Sequence, residues 1–206
     1  MQLTNLLGDA DALFNATELS GSLGLIATVI LTINMVLGMM LSTSFTKTNG
    51  GLKLPAKIKA VDVNNVHNYT AYIALFFVFA HVILIPFDAA NKFTFLDILW
   101  PAKAPHQSNI VFLGTFSLLA LIVVIITTQK GVKRKLGYGL WKKIHLISYL
   151  TCILFVIHGL LMDPELKDRP TDWIDAEKLL SEICAFVLLL AFFLRYKYYI
   201  YSTRNK

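Results

Sequence analysis

Five stretches of the chain stay apolar for about the depth of a bilayer: Ser22–Ser42, Val66–Phe87, Asn109–Thr128, Ile144–Met162 and roughly Leu179–Leu194. A helix rises about 1.5 Å per residue and the hydrocarbon layer is roughly 30 Å thick, so each stretch predicts a membrane-crossing helix. Glu182, near one end of the fifth, is the only Asp, Glu, Lys or Arg in any of them. The loops between them are short, with no solenoid repeat and no low-complexity tract. The expected fold is therefore all-α, an integral membrane bundle of five transmembrane helices. The expected organisation is an external segment over 1–21, one membrane domain over 22–200 and a cytoplasmic tail over 201–206.

The polar connections alternate in charge. Residues 1–20 carry Asp9, Asp11 and Glu18 and no base. The segment lacks the basic start of a secretory signal and is expected to cap the bundle or lie along the membrane surface. The loop 43–65 is net +3, the loop 88–108 is neutral, and 129–143 is +6 through Lys130, Lys133, Arg134, Lys135, Lys142 and Lys143. The loop 163–178 is −3 and the tail is +4. Cationic loops stay in the cytoplasm, so the N-terminus is expected outside and the C-terminus inside.

Composition supports this picture. Of 206 residues, 56% are hydrophobic and 16% charged, against about 25% charged in an ordinary globular domain. The mean hydropathy is +0.61. The net charge of +6 sits beside the apolar stretches, as an orientation signal does, and does not imply a nucleic-acid partner. Cys152 and Cys184 lie inside apolar stretches with no CxxC or Cys/His metal spacing, and are expected to be packing residues.

The candidate chemistry lies in the histidines. Four of the five sit in apolar stretches: His67 and His81, fourteen apart, in the second, and His145 and His158, thirteen apart, in the fourth. An ionisable side chain at membrane depth is costly and marks function by default. Both stretches run from cytoplasm outward, so His67 and His145 fall at an inner level and His81 and His158 at an outer one. The separations are about 21 Å and about 19.5 Å along a helix. Fourteen residues fall roughly 40° short of four turns, so His67 and His81 share a face; thirteen fall roughly 140° short, so the second pair needs local tightening, a kink or differently placed ligands.

Three readings fit these residues. The first is axial ligation of two b-type haems, one per level, with His67 and His145 on the inner iron and His81 and His158 on the outer. Both axial positions of each iron are then filled, which leaves electron transfer as the use. The small residues Ala71, Ala74 and Val78 on the face of His67 leave room for a flat macrocycle, and helix packing in membranes selects small residues as well. The second is a metal or proton pathway, a small histidine-dependent transporter or ion-conducting subunit. Here no Asp or Glu lies deep in a stretch, and the one proline in them, Pro86, lies at an end. In the third the histidines bond only backbone or one another, and the chain is a non-catalytic anchor of a larger complex. His106, in an outer loop after Pro105, is expected to be an ordinary surface histidine. The basic run 130–143, with Lys57 and Lys59, lies near the inner level and is suited to haem propionates or a cytoplasmic donor.

These residues also resemble a known family. The pattern H-x13-H in one helix and H-x12-H two helices later is similar to the ferric reductase-like transmembrane domain. That superfamily includes ferric reductases, NADPH oxidases and the haem-bearing membrane subunit of the bacterial methionine sulfoxide reductase system. The stretch RKLGYGLWKKIHLISYLTCILFVIHGLL (134–161) carries the likeness most fully: a basic-Leu-Gly-Tyr lead, Trp141 four residues before His145, a tyrosine after it, and His158. VHNYTAYIALFFVFAH (66–81) matches the other ligand helix. The resemblance spans about 22–200 and implies two stacked haems, with electrons passing from the cytoplasm outward. It implies an acceptor such as ferric iron, dioxygen or a periplasmic redox enzyme. Lys206 follows soon after the fifth stretch, and no GxGxxG is present. Electrons are therefore expected from a separate cytoplasmic flavin reductase or from membrane quinol, with the flavin or quinone supplied by that partner. A bacterial inner membrane is the expected location.

Overall fold

The computed structural model describes residues 16–43, 55–87, 92–162 and 176–204. The N-terminal stretch 1–15, expected to lie along the membrane or cap the bundle, and most of the acidic loop 163–178 fall outside the described residues. Among those described, the chain is helical and contains no strand. In order the helices are α1 (Ala16–Ser42), α2 (Ala56–Lys59), α3 (Val63–Leu84), α4 (Phe95–Leu99), α5 (Ser108–Thr128), α6 (Lys130–His145), α7 (Ile147–Leu161) and α8 (Ala176–Arg204). Among the described residues, five spans are long and apolar enough to cross a membrane: Glu18–Ser42, Val63–Phe87, Ser108–Thr128, Lys130–Leu161 and Lys178–Ser202. The chain is an integral membrane protein of five such helices.

The ends of the spans follow their caps. α1 begins earlier than its apolar stretch, so Ser20 lies inside a helix instead of in a polar cap. α3 begins three residues before Val66, because the Asp62 carboxylate accepts hydrogen bonds from the amides of Asn64 and Asn65 at 3.1 and 3.2 Å. α4 opens on a reciprocal box in which Thr94 and Asp97 bond each other's backbone amides. Those bonds, from the Thr94 hydroxyl first and its amide second, hold the exposed Asp97 carboxyl below its ordinary pKa.

The fourth span departs most from expectation. The basic run 130–143, expected as a loop, is helix α6, bent at Gly137 where φ is 73° and ψ is 160°. Only glycine adopts that backbone without strain. Gln129, with ψ of 134°, separates α6 from α5, and a turn at Leu146 separates it from α7. At that turn the Tyr149 amide bonds the Leu146 carbonyl at 3.1 Å, an i→i−3 bond that winds the chain more tightly than an α-helix. His145 thus ends one helix and His158 belongs to the next, which answers the poor azimuth of thirteen residues on a straight rod.

α1 packs most extensively on α3 and also touches α7 and α8; α5 packs on α7 and α6. Ala27, Val78, Leu118, Leu121, Ile125 and Phe155 form one core cluster, drawn from α1, α3, α5 and α7. Met35, Met39, Cys152 and Leu188 form a second. Large side chains point outward instead, with Phe76, Phe186 and Leu189 each about two-thirds exposed. Lipid tails are as apolar as these side chains, so close packing and interhelical hydrogen bonds hold the bundle. Buried hydroxyls bond back along their own helix, Thr28 to the Gly24 carbonyl at 2.9 Å and Ser117 to that of Leu113 at 2.7 Å. Cys152 and Cys184 are both buried and free.

Candidate functional site

The four histidines of the apolar stretches fall in two groups. At one level the rings of His67 and His145 lie 6.2 Å apart between centres, 79° from parallel. At the other, His81 and His158 line one cavity with Gly21, Gly24, Thr28, Phe155 and Ser181. The free space within that cavity is about 90 Å³. On α3, Ala71, Leu75 and Val78 of the first core cluster lie between the two levels. An apolar layer therefore separates one histidine group from the other.

Each ring is held by its surroundings. His67 Nδ1 lies 3.0 Å from the Asn34 carbonyl oxygen, His81 Nδ1 2.7 Å from that of Ser20, and His158 Nδ1 2.8 Å from that of Ile110. A carbonyl only accepts, so Nδ1 must carry the proton in these three bonds. Nε2 is then left with its lone pair, as a metal ligand requires. The polar side chains of α1 add a second tie: Asn34 Nδ2 donates to the His67 carbonyl at 2.5 Å and to Thr70 Oγ1 at 2.8 Å, and Ser20 Oγ donates to the His81 carbonyl at 3.0 Å.

His145 is held differently. Its Nδ1 is buried with no hydrogen-bond partner, as is Trp141 Nε1. Its ring stacks on Trp141, 5.2 Å between centres and 23° from parallel. Lys133 Nζ sits 3.7 Å over the Trp141 ring in a cation–π contact.

The small residues Ala71, Ala74 and Val78 pack among helices. Ala74 and Val78 are buried, and Ala71 packs beside Val78 in the apolar layer, so these positions are filled by helix packing. Space beside the rings comes from glycines that sequence reasoning passed over. A Cβ on Gly24 would lie 3.1 Å from His81, one on Gly38 3.1 Å from His67, and one on Gly114 2.8 Å from His158. The signal was present: Gly24 and Gly38 are fourteen apart, as are His67 and His81. His106 stands apart from the four, exposed and 6.4 Å from the Phe93 ring. Among the described residues no group of three or more His, Cys, Asp or Glu gathers to hold a metal ion directly.

The residues present fit a haem. His67 and His145, with ring centres 6.2 Å apart, would hold the group at one level, and His81 and His158, which share a cavity, at the other. Nδ1–H bonded to carbonyls and glycines beside the rings suit histidines that would ligate through Nε2.

A search of curated proteins and a search of solved structures each give no match. The family described as ferric reductase like transmembrane component matches residues 23–156, a range that takes in His67, His81 and His145 and stops just short of His158. That range covers well over half of the chain and reaches into four of its five spans, so the protein belongs to the ferric reductase-like transmembrane family.

Proposed function

We propose that this protein is a two-haem b-type membrane cytochrome that passes electrons from a cytoplasmic reductase or quinol to an acceptor outside. The family supports membrane redox chemistry and haem binding in general terms. The observation that carries the finer reading is that Nδ1 of His67, His81 and His158 each lies within hydrogen-bond distance of a backbone carbonyl, an arrangement that favours Nδ1–H and leaves Nε2 to ligate.

In this reading His67 and His145 hold the inner haem, and His81 and His158 the outer. When bound, each haem supplies a one-electron couple. The chain's own work would be to hold each haem between two histidines and to orient their rings. The Val78–Leu118–Phe155 layer keeps water out of the interval between the levels. The N-terminus lies outside and the C-terminus in the cytoplasm, by the charge of the loops. The exposed cations Lys130, Arg134, Lys135, Lys142 and Lys143 then face the cytoplasm, where they steer an acidic face of the electron donor. The acceptor is ferric iron, dioxygen or a periplasmic redox enzyme, and the membrane is a bacterial inner membrane.

The test is optical. The full chain, expressed with ample haem and purified in detergent, should carry two haems per polypeptide and give a b-type reduced-minus-oxidised spectrum. A colourless, porphyrin-free protein overturns the reading.

A further inference from the structure

We propose that α1, which supplies no ligand, is the positioning element for both haem levels. It acts through one device used twice, and α5 uses the same device once more. The device is a backbone carbonyl at position i that takes the imidazole Nδ1–H, with a glycine at i+4 that leaves the hollow for the ring. Ser20 and Gly24 seat His81, Asn34 and Gly38 seat His67, and Ile110 and Gly114 seat His158. This rests on the reading of these histidines as haem ligands.

The spacing follows from helix geometry. Residue i+4 lies one turn above i on the same face, and the carbonyl of i points up toward it. Side chains on a helix lean back toward its N-terminus, so a Cβ at i+4 would hang over that carbonyl. An imidazole reaching the carbonyl's second lone pair must occupy the same place. With glycine there the two requirements stop competing. Repeating the device fourteen residues along α1 matches the fourteen residues between His67 and His81 on the partner helix, with the order reversed.

The seats on α1 have a second point of attachment. Ser20 Oγ and Asn34 Nδ2 each donate to the main-chain carbonyl of the histidine whose ring their own carbonyl accepts, at 3.0 and 2.5 Å. Ring and backbone of each ligand are thereby tied to one residue of α1. His145 has no such seat: its Nδ1 finds no acceptor, and it leans on Trp141 instead. The device therefore acts on one ligand of the inner pair and both of the outer. An Nδ1–H bond to a carbonyl makes the imidazole a stronger donor to iron, so losing it should move that haem's midpoint to a more positive potential.

The test compares Gly24→Ala, Gly38→Ala and Gly114→Ala in the full-length protein, purified with haem. The readouts are haem per polypeptide and a potentiometric titration that resolves both haems. His67→Ala serves as the reference that identifies the inner one. Ile33→Ala, on the exposed side of α1, and Gly131→Ala, with nothing within 4 Å of an added Cβ, are the controls. Gly38→Ala should lose or shift the inner haem alone. Gly24→Ala and Gly114→Ala should both act on the outer haem and resemble each other. Should the added methyl groups prevent folding, Ser20→Ala and Asn34→Ala remove the second tie without adding atoms; they should shift the outer and the inner midpoint respectively. The inference is overturned if the seat variants match the controls, if each variant disturbs both haems equally, or if Ser20→Ala and Asn34→Ala titrate as wild type. A wild-type chain without haem would overturn the parent reading instead, since the comparison presupposes two haems.

Discussion

Trp141 stacks on His145, 5.2 Å between ring centres, and Lys133 Nζ lies 3.7 Å from the centre of the same indole. Where the other three histidines have a backbone acceptor, this one has an aromatic face. Trp141→Ala should therefore weaken the inner haem and leave the outer one in place. Stacked aromatic pairs contribute about 0.5–1.5 kcal/mol beyond their burial, so the loss in haem affinity should be roughly 2–10-fold. Trp141→Phe should keep most of it, and haem titration of the two variants reads the difference.

The pairing of ligands predicts two matched phenotypes. His67→Ala and His145→Ala should remove the same haem, and His81→Ala and His158→Ala the other. Each variant should retain about half of the wild-type haem absorbance, since one bis-imidazole site of two is lost. Equal loss of both haems from all four would contradict two separate levels.

The bend in α6 depends on Gly137. Its φ of 73° with ψ of 160° is a conformation that an alanine holds only at a cost of about 1–3 kcal/mol. Gly137→Ala should straighten or shift the segment that carries Tyr138 and Trp141, whose rings lie 5.7 Å apart. Tryptophan fluorescence should change, and the inner haem should become easier to extract than in Gly131→Ala.

The cap of α3 can be tested by stability alone. Asp62→Ala removes the acceptor for the amides of Asn64 and Asn65, five residues before His67. Thermal unfolding in detergent should show a loss of about 0.5–2 kcal/mol, largely restored by Asp62→Asn.

The box at the start of α4 gives a pH signature. Asp97 titrates below its ordinary range in the folded chain, so its contribution is fully present above the carboxylate pKa of the unfolded chain. It fades as pH falls through the folded value. Stability measured downward from pH 5 should fall less in Asp97→Asn than in wild type.

The five spans were legible because lipid demands an uninterrupted apolar length, a requirement that composition alone can meet or fail. The levels of the histidines were legible for a similar reason, since helical rise converts sequence number into depth. α6 was hidden by its charges: Lys133 and Lys142 read as loop residues, yet their ammonium groups lie against Trp141 and Tyr138 as part of an amphipathic helix. Asn34 and the three seating glycines were hidden for another reason. A search for ionisable groups passes over them, and what they contribute, a main-chain oxygen or an empty space, belongs to no side chain. Ala71, Ala74 and Val78 suit either macrocycle space or helix packing by size alone, and Val78 and Ala71 belong to the packed core cluster.

The glycines of α1 make that helix sensitive to its length more than to its composition. A single residue inserted between Gly24 and Gly38 would turn one of them by about 100° and raise it by about 1.5 Å relative to the other. No rigid movement of α1 could then restore both. Side chains on its lipid face, such as Ile26 and Ile33, are open to exchange, while the count of residues between the two glycines is fixed by the count between two histidines on another helix.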